Sequence, residues 1–204
     1  HVRLRLYVIK PEGLEAPEKV LFNILGQDDW TRWLAAMGFA FSDQFSEELK
    51  SGTKADGPAF EQLQKSLLER NNVWVFLAPR GIGLTDWRAG FTDPKAIAKK
   101  ETQIRRRYML VGQTLDGMRV WDIRRGIQAC GRVAGIEALP LWMQAKRDMA
   151  VNALYAAVFE RKIERADLWR LPRSHRNGPD YLNVLRILDI PQAVAIASEH
   201  SKGR

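Results

Sequence analysis

The 204-residue sequence contains a single cysteine, Cys130, so it cannot close an internal disulfide. Either a reducing or an oxidising compartment is compatible with that. It has three histidines and no His/Cys grouping at zinc spacing. Neither a Gly-x-Gly-x-x-Gly fingerprint nor a Walker loop occurs, and Gly81-Ile82-Gly83 alone is too little for one. No cofactor and no metal are expected. No apolar run reaches the roughly 18 to 20 residues of a membrane-spanning helix, so no membrane partner is expected. The first residues, HVRLRLYVIKP, lack a basic leader before an apolar block and lack a small-residue cleavage site, unlike a signal peptide. Without an initiating Met they read as a processed chain or an excised segment.

What is present is ordinary globular composition, 46% hydrophobic and 27% charged, which argues against a disordered tail, a collagen-like rod and a disulfide-stapled miniprotein. A chain of this length should bury roughly 70% of its unfolded surface. One compact domain is the first expectation. The formal charge of +8 raises nucleic acid as a partner. Lys99, Lys100, Arg105, Arg106 and Arg107 cluster at the start of a long helical region, and Arg124, Arg125, Arg161, Lys162, Arg170, Arg173 and Arg176 continue downstream. Glu101, Asp116 and Asp122 interrupt this series, as on a solvated helix face, and the seven tryptophans fall mostly at core-like positions, so no base-stacking platform is expected. Nucleic acid is therefore not the expected partner.

Val2, Leu4, Leu6 and Val8 alternate with polar residues and Tyr7, the period of a half-buried strand ending at Pro11. Residues 20–25 read as a buried strand followed by the loop GQDD. Asp29 is a plausible N-cap for a helix through Trp30, Trp33, Leu34 and Met37 that Gly38 would close, with a short strand at 39–41. SGTKADGP, 51–58, is a loop, and Phe60, Leu63, Leu67 and Leu68 form a helical stripe after it. VWVFLA, 73–78, is the strongest strand signal and runs into PRGIG. Residues 96–129 are helical with a break at Gly112. A strand at 141–143, a helix over 149–160, a strand at 166–171, the loop PRSHRNGP and two helical pieces, YLNVLRIL and PQAVAIASEH, complete the chain. This alternation predicts a three-layer α/β/α sandwich on a mostly parallel sheet. Ligands of such sheets bind at the carboxyl ends of the strands, which directs attention to GQDD, PRGIG, QAKRDMA and PRSHRNGP.

YVIKP followed by KVLFNILGQDDW, VWVFLAPRGIG, RRRYMLVGQTLDGMRVWDIRRGIQA, LPLWMQAKRDMAVNALYAAVFE and SHRNGPDYLNVLRILDIPQAVAIA together span most of the chain. In this order they resemble an α/β-hydrolase, and more narrowly the bacterial acetyl xylan esterase-like proteins of the planctomycete type. The resemblance implies an ester or acetylated-carbohydrate substrate and a secreted or periplasmic setting. It also implies a nucleophile elbow, in which a strand turns sharply into a helix through small-x-Ser-x-small. The matching stretch here is Ala145-Lys146-Arg147-Asp148-Met149-Ala150. Arg147 stands at the nucleophile position, and a guanidinium is always protonated and cannot attack a carbonyl. Asp148 becomes the catalytic candidate only if the alignment slips by one residue. Gly26 and Gln27 match the oxyanion loop, whose amides receive developing negative charge.

In this fold the acid and the histidine follow the nucleophile on later loops. Of the downstream histidines, His175 comes too early for that role and reads as an exposed loop residue, and His200 lies near the chain end. The terminal strands of the sheet are expected to be missing, leaving one incomplete domain at 1–204. Its exposed edge would invite association with a neighbouring segment. GQTLDG is assigned to packing, and Asp116 and Asp122, six residues apart, do not share a helix face.

Three functions are compatible with these residues. The first is a catalytically degenerate esterase-type domain, a pseudoenzyme accessory to an intact domain of the same polypeptide. The second is an active carboxylic-ester hydrolase completed by residues outside the chain. The third is a basic binding module.

Overall fold

The computed structural model of the protein describes residues 2–202. Five strands, β1 (Leu6–Ile9), β2 (Lys19–Ile24), β3 (Asn72–Leu77), β4 (Leu141–Lys146) and β5 (Ile163–Trp169), form one sheet of order β1-β3-β2-β4-β5. Only β1 runs antiparallel to its neighbour. Helices α1 (Gln27–Ala40) and α2 (Gly57–Leu68) lie between β2 and β3. Helices α3 (Pro94–Leu110) and α4 (Leu115–Cys130) lie between β3 and β4, with α5 (Asp148–Phe159) before β5 and α6 (Ile190–Lys202) after it. The β2-to-β3 crossover moves one way across the sheet, and the β3-to-β4 and β4-to-β5 crossovers move the other. With right-handed connections this places α1 and α2 on one face and the later helices on the opposite face. The packing of α1 on α2, of α4 on α5 and of α5 on α6 agrees with that division, and the expected three-layer sandwich is present. None of the described helices is long and apolar enough to cross a membrane.

The core lies chiefly between the sheet and α4 and α5. Phe22, Val75 and Met143 are completely buried there, with Ile123 and Ile127 of α4. Ala150, Ala153 and Ala156 are also fully buried, and small side chains at these positions let α5 sit close to its neighbours. A second, smaller cluster joins Val151 and Leu154 to Ile190 and Ala193 of α6.

Several local expectations are corrected. Helix α1 starts at Gln27 with Gly26 as N-cap, which puts Asp28 and Asp29 in its first turn, where negative charge complements the helix dipole. Gly38 does not end α1, and 39–41 is not a strand. A Cβ at Gly38 would lie 2.7 Å from Leu49 Cδ2, so this glycine serves packing rather than termination. Strand β1 is confined to four residues, β4 runs on to Lys146, and β5 begins earlier, at Ile163. YLNVLRIL is not helical beyond one tight turn, Val184–Arg186, because Asn183 adopts φ 56° immediately before it. The expected break at Gly112 is present, and Thr114 caps α4 by accepting from Gly117 N at 2.9 Å. The tryptophans are not mostly core: Trp30 and Trp33 are buried, but Trp121 and Trp169 are more than 40% exposed.

Candidate active site

Strands β2 and β4 are neighbours, yet the chain leaves them in opposite directions across the sheet. Their carboxyl ends therefore flank the topological switch point where open α/β sheets bind ligands. A cleft of about 430 Å³ opens there. Gly26, Gln27, Asp28 and Asp29 line it from the loop after β2, and Lys146, Arg147, Asp148 and Met149 from the turn after β4. The amino end of α4 contributes Thr114, Leu115 and Asp116, and α3 contributes Glu101, Ile104 and Arg105.

The turn after β4 has the backbone of an elbow. Arg147 takes φ 55° and ψ −128° between the last residue of β4 and the first of α5. Such a conformation costs a side-chain-bearing residue about 1–3 kcal/mol and persists because its surroundings over-determine it. Here Arg147 N donates to Trp169 O at 2.9 Å, tying the turn to β5, and Arg147 O accepts from Ala150 N at 2.9 Å, starting the helix. Ala145, two residues before the turn, is buried and small, whereas Met149, two residues after it, is large. The Arg147 guanidinium reaches Asp28 Oδ2 at 2.9 Å, with both side chains more than half exposed.

Asp148 follows the turn as the first residue of α5, exposed at the cleft. Loss of surrounding water and the nearby Asp116 carboxylate push its carboxyl above the usual range, against the opposing pull of Arg119 and Arg147. Gly26 caps α1, its carbonyl accepting from Trp30 N at 2.8 Å. Gln27 opens that helix, so the first amides of α1 and α5, which lack intrahelical acceptors, both lie at the cleft. Gln27 Oε1 is buried and finds no donor among the described residues.

Asp116 is the cleft residue that sequence reasoning set aside, having weighed it only as a partner for Asp122. It accepts from Arg119 Nη1, Asn152 Nδ2 and Asp180 N, each at 3.2 Å, and Asn152 Oδ1 in turn accepts from the Tyr181 hydroxyl. Thr114 was the available signal, because an N-cap there places Asp116 in the first turn of α4. Asp122 turns elsewhere. Its carboxylate accepts from Arg80 Nε at 2.8 Å, Arg80 Nη2 at 2.6 Å and Arg80 N at 3.0 Å, locking the loop after β3 onto α4. In that loop Gly81 and Gly83 have φ 78° and 62°, and a Cβ on either would collide with Trp87 or Trp30. Only glycine suits those positions.

No serine, cysteine or histidine lines the cleft among the described residues. Among the described lining residues the hydroxyl is that of Thr114, which is buried and accepts from Gly117 N at the α4 cap. Cys130 ends α4, buried, and burial pushes its thiol up to about 11, so it stays protonated. His175 is not exposed, contrary to the sequence expectation. It is 8% exposed, its Nε2 lies 2.8 Å from the Tyr155 hydroxyl, and its ring meets Tyr155 and Tyr181. Its backbone N donates to Asp189 Oδ1 at 2.8 Å. It is a packed residue outside the cleft. The His200 side chain lies outside the described residues.

No protein-family model matches the chain, and a search of curated proteins finds no match. Among solved structures it is similar to a Bacteroides fragilis NCTC 9343 protein titled "putative acetyl xylan esterase", with a TM-score of 0.58 and 12% identity. The fold is α/β-hydrolase-like. The similarity covers 96% of this chain and 53% of the other, so the chain spans about half the length of that protein.

Proposed function

We propose that the chain is a catalytically degenerate α/β-hydrolase-like domain of the acetyl xylan esterase type, accessory to an intact esterase domain of the same polypeptide. The observation that carries this reading is Arg147 in the strained turn of a cleft that lacks serine, cysteine and histidine among the described residues. Ester hydrolysis of this type needs a group that gives up a proton and attacks, with a base within hydrogen-bond reach to take that proton. A guanidinium supplies neither. Asp148 would need to act from the first turn of a helix beside an Asp116 carboxylate that is already engaged by Arg119, Asn152 and the Asp180 amide, and the amides of α1 and α5 would have no tetrahedral oxyanion to receive. An acetylated carbohydrate or other ester, the substrate class suggested by the similar protein's name, would then be held rather than cleaved.

Treatment with a fluorophosphonate probe, read by intact mass, tests this reading. No adduct should form, whereas a stoichiometric adduct would reveal an activated hydroxyl and overturn it.

A further inference from the structure

The edge of the sheet built from β4 and β5 has one face sealed and one face open. On the sealed face Leu141, Met143 and Ala145 are buried beneath α4 and α5. On the other, strand register sets Trp142 beside Arg165, Gln144 beside Asp167, and Lys146 beside Trp169 at the carboxyl end. Trp169 is 43% exposed, and Arg165 and Lys146 are exposed. Parallel strands are ordinarily covered by helices on both faces. Here α1 and α2 stand over the β1-β3 side, and a groove of about 830 Å³ runs between them and the open strands.

The groove has an apolar wall and a basic rim. Trp33, Ala36, Leu63, Trp74 and Phe76 form the wall. Trp33 is 6% exposed, and its indole N–H, like that of Trp74, is buried without an acceptor among the described residues. Buried donors of this kind are costly to leave unpaired. On the open face, Lys19 Nζ and Arg165 Cζ lie 3.9 and 4.7 Å from the centre of the Trp142 ring, and Lys146 Nζ lies 5.8 Å from that of Trp169. The carboxylates nearby, Asp29 and Asp167, are tied to Arg32 and Arg165 at 2.8 Å. Lys146 and Arg170 have no carboxylate partner among the described residues.

We infer that this face docks an acidic amphipathic helix of a partner protein. The apolar stripe of the helix enters the groove and its carboxylates meet Lys146 and Arg170. A second copy of the chain would bring the same basic rim against this one. A single nucleic-acid strand would need free ring faces, and the Trp142 ring already carries two cations. The inference deepens the accessory reading by naming the partner's chemistry, but it does not depend on the state of the cleft, so either can fail alone.

The test titrates the full chain with an 18-residue helical peptide bearing Leu on one face and Glu on the other, following tryptophan emission. Its controls are the same peptide with Lys for Glu and a 20-nucleotide oligo(dT). The acidic peptide should bind at least tenfold more tightly than both, with affinity falling as salt rises. Lys146→Glu with Arg170→Glu, both at exposed positions and checked for native circular dichroism, should cost at least another tenfold. Absence of acidic-peptide binding, equal binding of the two peptides, preference for oligo(dT), or indifference to the charge reversal would each overturn the inference. Fluorophosphonate labelling reports separately on the cleft.

Discussion

Two arginines follow two parallel strands of the same sheet and are held in opposite ways. Arg80, after β3, is 13% exposed in its side chain and clamps an Asp122 side chain that is 4% exposed, through three hydrogen bonds. Arg147, after β4, has a half-exposed side chain that makes one hydrogen bond, to an exposed Asp28, and sits on a positive-φ backbone. Asp122 holds the Arg80 guanidinium above its already high range, chiefly by accepting its hydrogen bonds, against the cost of burial. The fold depends on the first arginine and merely tolerates the second. The elbow after β4 is held by its backbone contacts to β5 and by the packing of α5, not by the side chain it carries.

Removing either charge should separate the two cases. Arg80→Ala leaves the buried Asp122 carboxylate without its guanidinium and with only the residue 80 amide, and should lower the unfolding free energy measured in urea by about 3–5 kcal/mol. A loss below about 1 kcal/mol would erase the contrast. Arg147→Gly relieves the positive-φ strain, and after the added chain entropy of glycine it should raise stability by about 1 kcal/mol. Destabilisation would mean that the side chain holds the turn. Smallest of all, Asp28→Ala removes an exposed partner and should change stability by about 0–1 kcal/mol, the difference shrinking as salt is added in thermal melts.

Much of this architecture was legible in the sequence. VWVFLA became β3 and residues 20–25 became β2, because a largely buried strand reads as a short, nearly continuous apolar run, interrupted in β2 only by Asn23. The strand-to-helix turn at Arg147, expected from the resemblance, lies between β4 and α5. Features decided by distant neighbours were not legible. Gly38 resembled a stop because its reason for being there, Leu49, lies on the turn after α1. His175 resembled an exposed loop residue because the rings that cover it come from α5 and from Tyr181. The open face of β4 and β5 was hidden because Trp142 and Trp169 read as core when their strands are taken alone. Asp116 was passed over as an unpaired carboxylate, although its partners, Asn152 and the Asp180 amide, lie 36 and 64 residues away.

The central claim is that the hydrolase-like scaffold keeps its elbow without a working nucleophile. Turnover of p-nitrophenyl acetate by the chain and by Asp148→Ala, measured side by side, tests it most directly. Both proteins should match the rate of buffer with an inert protein. Turnover well above that background in the unaltered chain that disappears in Asp148→Ala would contradict the claim and make Asp148 the nucleophile.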